Sequence, residues 1–282
     1  MACEGREENS PGTSDRSIIG ASTENPILSS RCVLPMNPSA AFSPIWLDEL
    51  HAVATAWAGG DNVTAAAAAA TLALWRARLQ RPPVPAEEWL DVVTPSGEPY
   101  GWAAPRWFCH LVGLRHRVVY VYLTTPQGLL ALQMRSHTKP EWPSLLDMTV
   151  AGHVKAGSTW EEGVVAEIEE ELGLTAITRE RWLEDGLLHP VGSYERYSVD
   201  EGLPPYRNRQ INRIFAGTLT AWGLAHVRFA DGEVGGLYLC RPEEAQRLVT
   251  TGSMVAPGLQ RSFSYWWAWW QARSGQTVPA AP

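Results

Sequence analysis

The chain has 282 residues, enough for one or two domains, and with 45% hydrophobic and 19% charged residues it has ample material for a buried core. A formal net charge of −7 argues against a nucleic-acid binder held by phosphate contacts, but leaves small phosphorylated ligands open, since a bound cation can supply positive charge locally. The four cysteines, Cys3, Cys32, Cys109 and Cys240, form no CxxC pair, and no apolar run has the length of a membrane span. With an acidic N-terminus that lacks a secretory h-region, these features predict a cytoplasmic protein with neither disulfides nor a membrane partner.

Residues 1–43 are rich in Ser, Pro, Asn, Gly and Thr and lack periodicity, which predicts a disordered segment in which Met36 is an alternative start. From Pro44 the pattern changes. Ile45, Leu47, Leu50, Val53 and Trp57 recur at helical spacing up to Gly59-Gly60, and Asp61 is placed to cap a second helix that runs through Leu79 and ends before Pro82-Pro83. Residues 44–82 thus read as a helical hairpin too small to bury much surface alone.

Residues 85–275 read as one α/β domain. Val118 to Leu123 is a run of β-formers, followed by the turn Pro126-Gln127-Gly128 and a returning strand at Leu129 to Gln133. Short strands are expected at Thr149–Ala151, Ile211–Leu219 and Gly236–Cys240. Helices are expected at Thr159–Leu172, Pro242–Leu248 and in the Trp-rich tail around Trp266–Gln271.

The most informative stretch is Gly152 to Leu174. Thr159 can cap its helix and Gly173 can end it. Trp160, Val164, Ile168 and Leu172 recur every four residues and, with Val165, give a core face. Glu167, Glu170 and Glu171 stand at i, i+3 and i+4 and so project from one adjacent side. Three carboxylates crowded there repel one another and also face the negative end of the helix dipole. No Lys or Arg interleaves them. A hard divalent cation would relieve the repulsion, and Mg²⁺ (or Mn²⁺) suits carboxylate oxygens shared with substrate phosphates; the competing explanation is an ordinary solvated acidic face.

The same stretch resembles the Nudix box, a glycine and three glutamates at fixed spacing ending in Gly and an aliphatic residue. Gly152, Glu167, Ile168, Glu170, Glu171, Gly173 and Leu174 match it, whereas Ser158 and Ala166 stand where the box has Glu and Arg. The resemblance implies an α/β/α sandwich with a mixed sheet, here preceded by the small helical hairpin. It implies that Glu167, Glu170 and Glu171 hold the metal with help from a carbonyl near Gly152, and that Glu170 or Glu171 orients the attacking water. It gives Glu169 no role. Residues 87–250 further resemble the isopentenyl-diphosphate isomerase-like branch, which implies that Arg135 and Lys139 clamp the substrate diphosphate. His110, His116 and His153 correspond to histidines that bind a second metal in the isomerases, and here they are expected to support the site rather than to hold a metal. Glu233, in the loop Asp231-Gly232-Glu233, is a further candidate acid.

Isomerisation itself is not expected. The isomerase cysteine is replaced by Ala151 and its acids by Asn208 and Gln210, and neither amide can transfer a proton. The reading is therefore a Mg²⁺- or Mn²⁺-dependent hydrolase of a small diphosphate, nucleoside- or prenyl-linked. The alternative is a weak or inactive module that binds a phosphorylated ligand or a protein through the hairpin and the aromatic tail, which could also line a prenyl pocket. The sequence leaves oligomeric state open.

Overall fold

A computed structural model describes residues 17–20, 44–175, 187–200, 202 and 204–274. In chain order the elements are β1 (Ser17–Gly20), α1 (Pro44–Ala56), α2 (Ala65–Arg78), β2 (Trp89–Val93), β3 (Pro99–Pro105), α3 (Arg106–Val112), β4 (Arg115–Thr124), β5 (Leu130–Arg135), β6 (Leu146–Asp147) and β7 (Val150–His153). There follow α4 (Trp160–Leu172), β8 (Leu188–Asp200), β9 (Tyr206–Thr218), α5 (Ala221–His226), β10 (Val234–Cys240), α6 (Pro242–Thr251) and α7 (Pro257–Ser274). Strand β1 departs from the expectation of disorder over 1–43; its backbone extends the sheet by pairing with β10. Met36 lies outside the described residues.

The main sheet has eight strands in the order β1-β10-β5-β4-β9-β8, with β6 against β5 and β7 against β4. It is mixed: β4 and β9 run parallel, from Arg115↔Arg209 to Thr124↔Thr218, and the other pairs are antiparallel. A central strand covered on both sides carries no polar alternation, and β4 is buried from Arg115 through Leu123. On one side Val119, Val121 and Leu123 pack with Val164, Ile168 and Leu172 of α4. On the other, Val118, Tyr120 and Tyr122 meet Leu259, Phe263 and Trp266 of α7, so the sheet lies between helices as the sandwich requires.

The hairpin is not a separate body. Leu50 and Trp75 are buried in one cluster with Leu90, Val92, Phe108 and Leu114, beside the small β2–β3 sheet. The Arg115 guanidinium fixes the junction by donating to the carbonyls of Gly59 and Val93, both at 3.2 Å. One expectation is corrected here. The cap of α2 is Thr64, whose hydroxyl accepts from Ala67 N at 3.2 Å, because the chain makes a turn after Gly60 before the helix begins. Asp61 instead accepts from the Tyr100 hydroxyl.

Candidate active site

Helix α4 presents its glutamates as its ends dictate. Thr159 and Glu162 form a reciprocal capping box, and Gly173 closes the helix at φ 67°, with its N–H on the Glu169 carbonyl. The apolar stripe locks the helix onto the sheet, so Glu167 and Glu171 are carried inward, only 8% and 5% exposed, while Glu170 stays half-buried.

Gly152 is the counterpart on β7. A Cβ there would lie 1.9 Å from Oε2 of Glu167, so the carboxylate rests directly against the strand backbone. One residue earlier, Ala151 N donates to Glu171 Oε2 at 3.2 Å, and the Gln133 amide donates to the same oxygen at 3.2 Å. Lys155, just past β7, pairs with Glu170.

The electrostatics are those of a site short of positive charge. Burial pushes the Glu167 carboxyl up to about 8, and the neighbouring charges of Glu170 and Glu88 add to the shift. Burial, then Glu167, holds Glu171 well above the usual carboxylate range, with Asp231 and Glu233 contributing. Buried acids of one sign with a glycine cradle fit a hard divalent cation, and Glu167, Glu170 and Glu171 are the residues that would hold it.

The phosphate-binding candidates separate. Lys139 lies on the loop after β5 and pairs with Glu233. Arg135 is committed elsewhere: Nε and Nη2 donate to the carbonyls of Glu141 and Trp142, and Nη1 donates to Asp147 at 3.2 Å. It therefore braces the 139–144 loop. Glu88, whose charge reaches Glu167, pairs with Arg106 at 3.0 Å; sequence reasoning missed it because it sits in the irregular stretch just before β2.

The loop ahead of α4 is held by a pair that the sequence did not reveal. Arg117 on β4 donates to the Ser158 carbonyl at 2.7 Å and to Asp91 at 2.8 Å, and Asp91 accepts from Gly157 N at 2.9 Å. The same guanidinium lies over the Trp160 ring, 5.5 Å from its centroid. The loop–helix junction is thus tied from β2 and β4, across positions 157–160, without a charged side chain at 158 or 166.

His110, His116 and His153 come together on the opposite side of the sheet from α4. Their ring centroids are 4.9–5.4 Å apart, and their ligand nitrogens lie within 4.8 Å of one another. Burial keeps all three neutral, His116 down to about 4 and the other two well below the ordinary histidine value. Nδ1 of His116 is 2.9 Å from the Leu114 carbonyl, so it carries the proton and Nε2 offers a lone pair.

Residues 114–255 match the family model described as the NUDIX domain. The chain belongs to the Nudix family. It is 46% identical over 91 residues to Nudix hydrolase 3 of Arabidopsis thaliana, covering 32% of this chain and 12% of that protein. It is 37% identical over 98 residues to an uncharacterized Nudix hydrolase of Streptomyces coelicolor, covering 35% of this chain and 54% of that one. The Nudix chain thus spans about half or less of the length of these curated relatives. Among solved structures, a Deinococcus radiodurans crystal structure aligns with a TM-score of 0.46 at 23% identity, over 62% of this chain and 96% of that one.

Proposed function

We propose that the protein is a Mg²⁺- or Mn²⁺-dependent hydrolase that cleaves a phosphoanhydride in a small diphosphate-linked molecule. The observation that carries this reading is the uncompensated acid pair, Glu167 and Glu171, pressed against Gly152 and Ala151. Bound there, the cation lowers the pKa of a water and neutralises phosphate charge. The chain's own part is to place the acids. Glu167 is fixed by the β7 backbone and Glu171 by two donors, which leaves the more exposed Glu170 to orient the water. Lys139 binds phosphate oxygens as a mobile ammonium once released from Glu233, while Arg135 keeps that loop in place. His110, His116 and His153 line the far side and take no part in the hydrolytic step.

The isomerase-like branch remains part of this proposal, with hydrolysis rather than isomerisation as the outcome, because Ala151, Asn208 and Gln210 offer no acid or base. A non-catalytic binding module is the second reading, motivated by Ser158 and Ala166; the Arg117–Asp91 tie weighs against it, since the loop those residues would support is held in place.

The test is release of phosphate or pyrophosphate with Mg²⁺ or Mn²⁺ from nucleotide sugars, dinucleotides, nucleoside triphosphates and prenyl diphosphates. Turnover abolished by Glu170→Gln is expected. Absence of both turnover and metal binding would transfer the protein to the second reading.

A further inference from the structure

Only two of the 23 basic residues in the chain are lysines, and both pair with acids of the site: Lys139 with Glu233 and Lys155 with Glu170. The arginines around them serve as fixed ties. Arg117 holds Ser158 and Asp91, and Arg135 holds Glu141, Trp142 and Asp147. A guanidinium suits that work, because its planar fork makes several bonds in set directions. An ammonium is a compact point charge on a flexible stem and changes partners readily.

Lys155 has a fixed root and a movable tip. Its main chain bridges Leu90 of β2; on either side, Ala156 N donates to the Trp89 carbonyl at 2.8 Å and Val154 N to the Arg117 carbonyl at 3.0 Å. The side chain is 47% exposed and reaches across to α4, where its ammonium donates to Oε1 of Glu170, itself 35% exposed. The charges of Glu167 and Glu88 reach the same ammonium. Glu171 is held differently, by the neutral donors Gln133 and Ala151, and Glu167 rests against the backbone at Gly152. Among the described residues, Glu170 is therefore the one helix acid of the three that already has a cation of the chain on it. A pair this open to water is weak and easily exchanged.

We propose that Lys155 is an exchangeable counter-ion: it neutralises Glu170 in the metal-free protein and must release that carboxylate before it can serve a divalent cation. An ammonium and a divalent cation on one carboxylate repel each other at contact distance, so Lys155 raises the ion concentration at which the site fills. The chain thereby sets its own threshold for metal. Position 155 needs lysine for this, since arginine would grip Glu170 through two N–H groups and a neutral residue would leave it unguarded. The proposal rests on the reading of the glutamate helix as a metal site.

The experiment is titration of Mn²⁺ into the full chain without substrate, followed by loss of the free-ion electron paramagnetic resonance signal. Lys155→Met keeps the stem and removes the charge, and it is expected to bind Mn²⁺ at least about fivefold more tightly than the wild type. Lys155→Arg keeps the charge and is expected to bind no more tightly than the wild type. In a Glu170→Gln background the Met substitution is expected to give no such gain, because the carboxylate in contention is gone. A smaller gain in Lys155→Met, an equal gain in Lys155→Arg, or a full gain without the Glu170 carboxylate overturns the proposal. Lys155→Gln repeats the comparison if the Met variant does not fold. The two readings fail differently: no Mn²⁺ binding by either wild type or Lys155→Met removes the metal site itself, whereas equal binding by both removes only the counter-ion.

Discussion

Glu167 holds the most readable consequence of the site. Its folded value of about 8 exceeds the ordinary 4.5, so the fold retains a proton that the unfolded chain has lost. That contribution is complete below about pH 4.5 and is lost as pH rises through about 8. Buried His116 acts with the opposite sign: its value falls from 6.5 to about 4, so stability declines as pH drops across that window. Above pH 6.5 the histidine contribution is complete and the raised acids set the slope, Glu167 foremost, with Asp147, raised to about 6, adding at the lower end of the range. The metal-free melting temperature is therefore expected to fall between about pH 6.5 and 8.5, and the stabilisation by Mg²⁺ to grow over the same range, because the cation takes the deprotonated form. Glu167→Gln is expected to flatten the limb, raise the metal-free value at pH 8 and abolish the Mg²⁺ shift. An unchanged slope in that variant, followed by thermal unfolding, would refute the assignment.

Arg117 offers the second residue-scale prediction. Arg117→Met removes the tie to Ser158 and leaves Asp91 with a largely buried charge. A loss of about 3 kcal/mol is expected, with a fall in kcat of about 10–100-fold, as for other groups that only orient metal ligands. Full activity in a stably folded variant would show that the loop positions itself.

Among the elements, α4 was legible to the residue: cap, stripe and terminating glycine are all local signals. Strand β4 announced itself by a run of β-formers, and β5 by the Pro126-Gln127-Gly128 turn that sends the chain back beside it. Strand β8 did not, because it lies at the sheet edge with Ser193, Glu195, Tyr197 and Val199 exposed and His189-Pro190 at its start. Helix α3 has only seven residues, too few for a periodicity. The site divides the same way. Its three glutamates share one helix and one motif, whereas Glu88, Asp91 and Arg117 reach it from separate strands and turns. Asn208 and Gln210 were visible only as missing acids, since their burial together depends on the β4–β9 register.

Helix α7 shows that an aromatic-rich tail is core before it is interface. Trp266 is fully buried and stacks on Tyr122 at 5.8 Å, and Ser262 hydrogen-bonds the Tyr122 hydroxyl at 2.6 Å. Trp266→Ala is expected to destabilise by about 3–5 kcal/mol through the cavity left under β4. Trp270→Ala, on the same helix but only half-buried, is expected to cost clearly less. Equal losses in urea unfolding would mean that the helix end, not the ring, carries the stability.

At the scale of the whole molecule, the hairpin and the Nudix domain share a core. Deleting residues 44–82 removes Leu50 and Trp75 from above Leu90, Val92 and Phe108 and takes away the Gly59 carbonyl that Arg115 binds. The truncated chain is expected to bind a hydrophobic dye and to lose at least about 10 °C in melting temperature, in line with several kcal/mol for a domain of this size. An unchanged melting temperature would show instead that the hairpin is a detachable appendage.

The parallel pairing of β4 with β9 has a consequence for how the protein is made. Arg115 emerges from the ribosome nearly a hundred residues before Arg209, its partner in the sheet. At about 5–20 residues per second, the nascent strand waits roughly 5–20 s with that edge uncovered. Antiparallel β5 and β7 arrive within that interval and shield only its other edge. During synthesis, then, the centre of the finished sheet is an unprotected rim, the state in which chaperones would meet this chain.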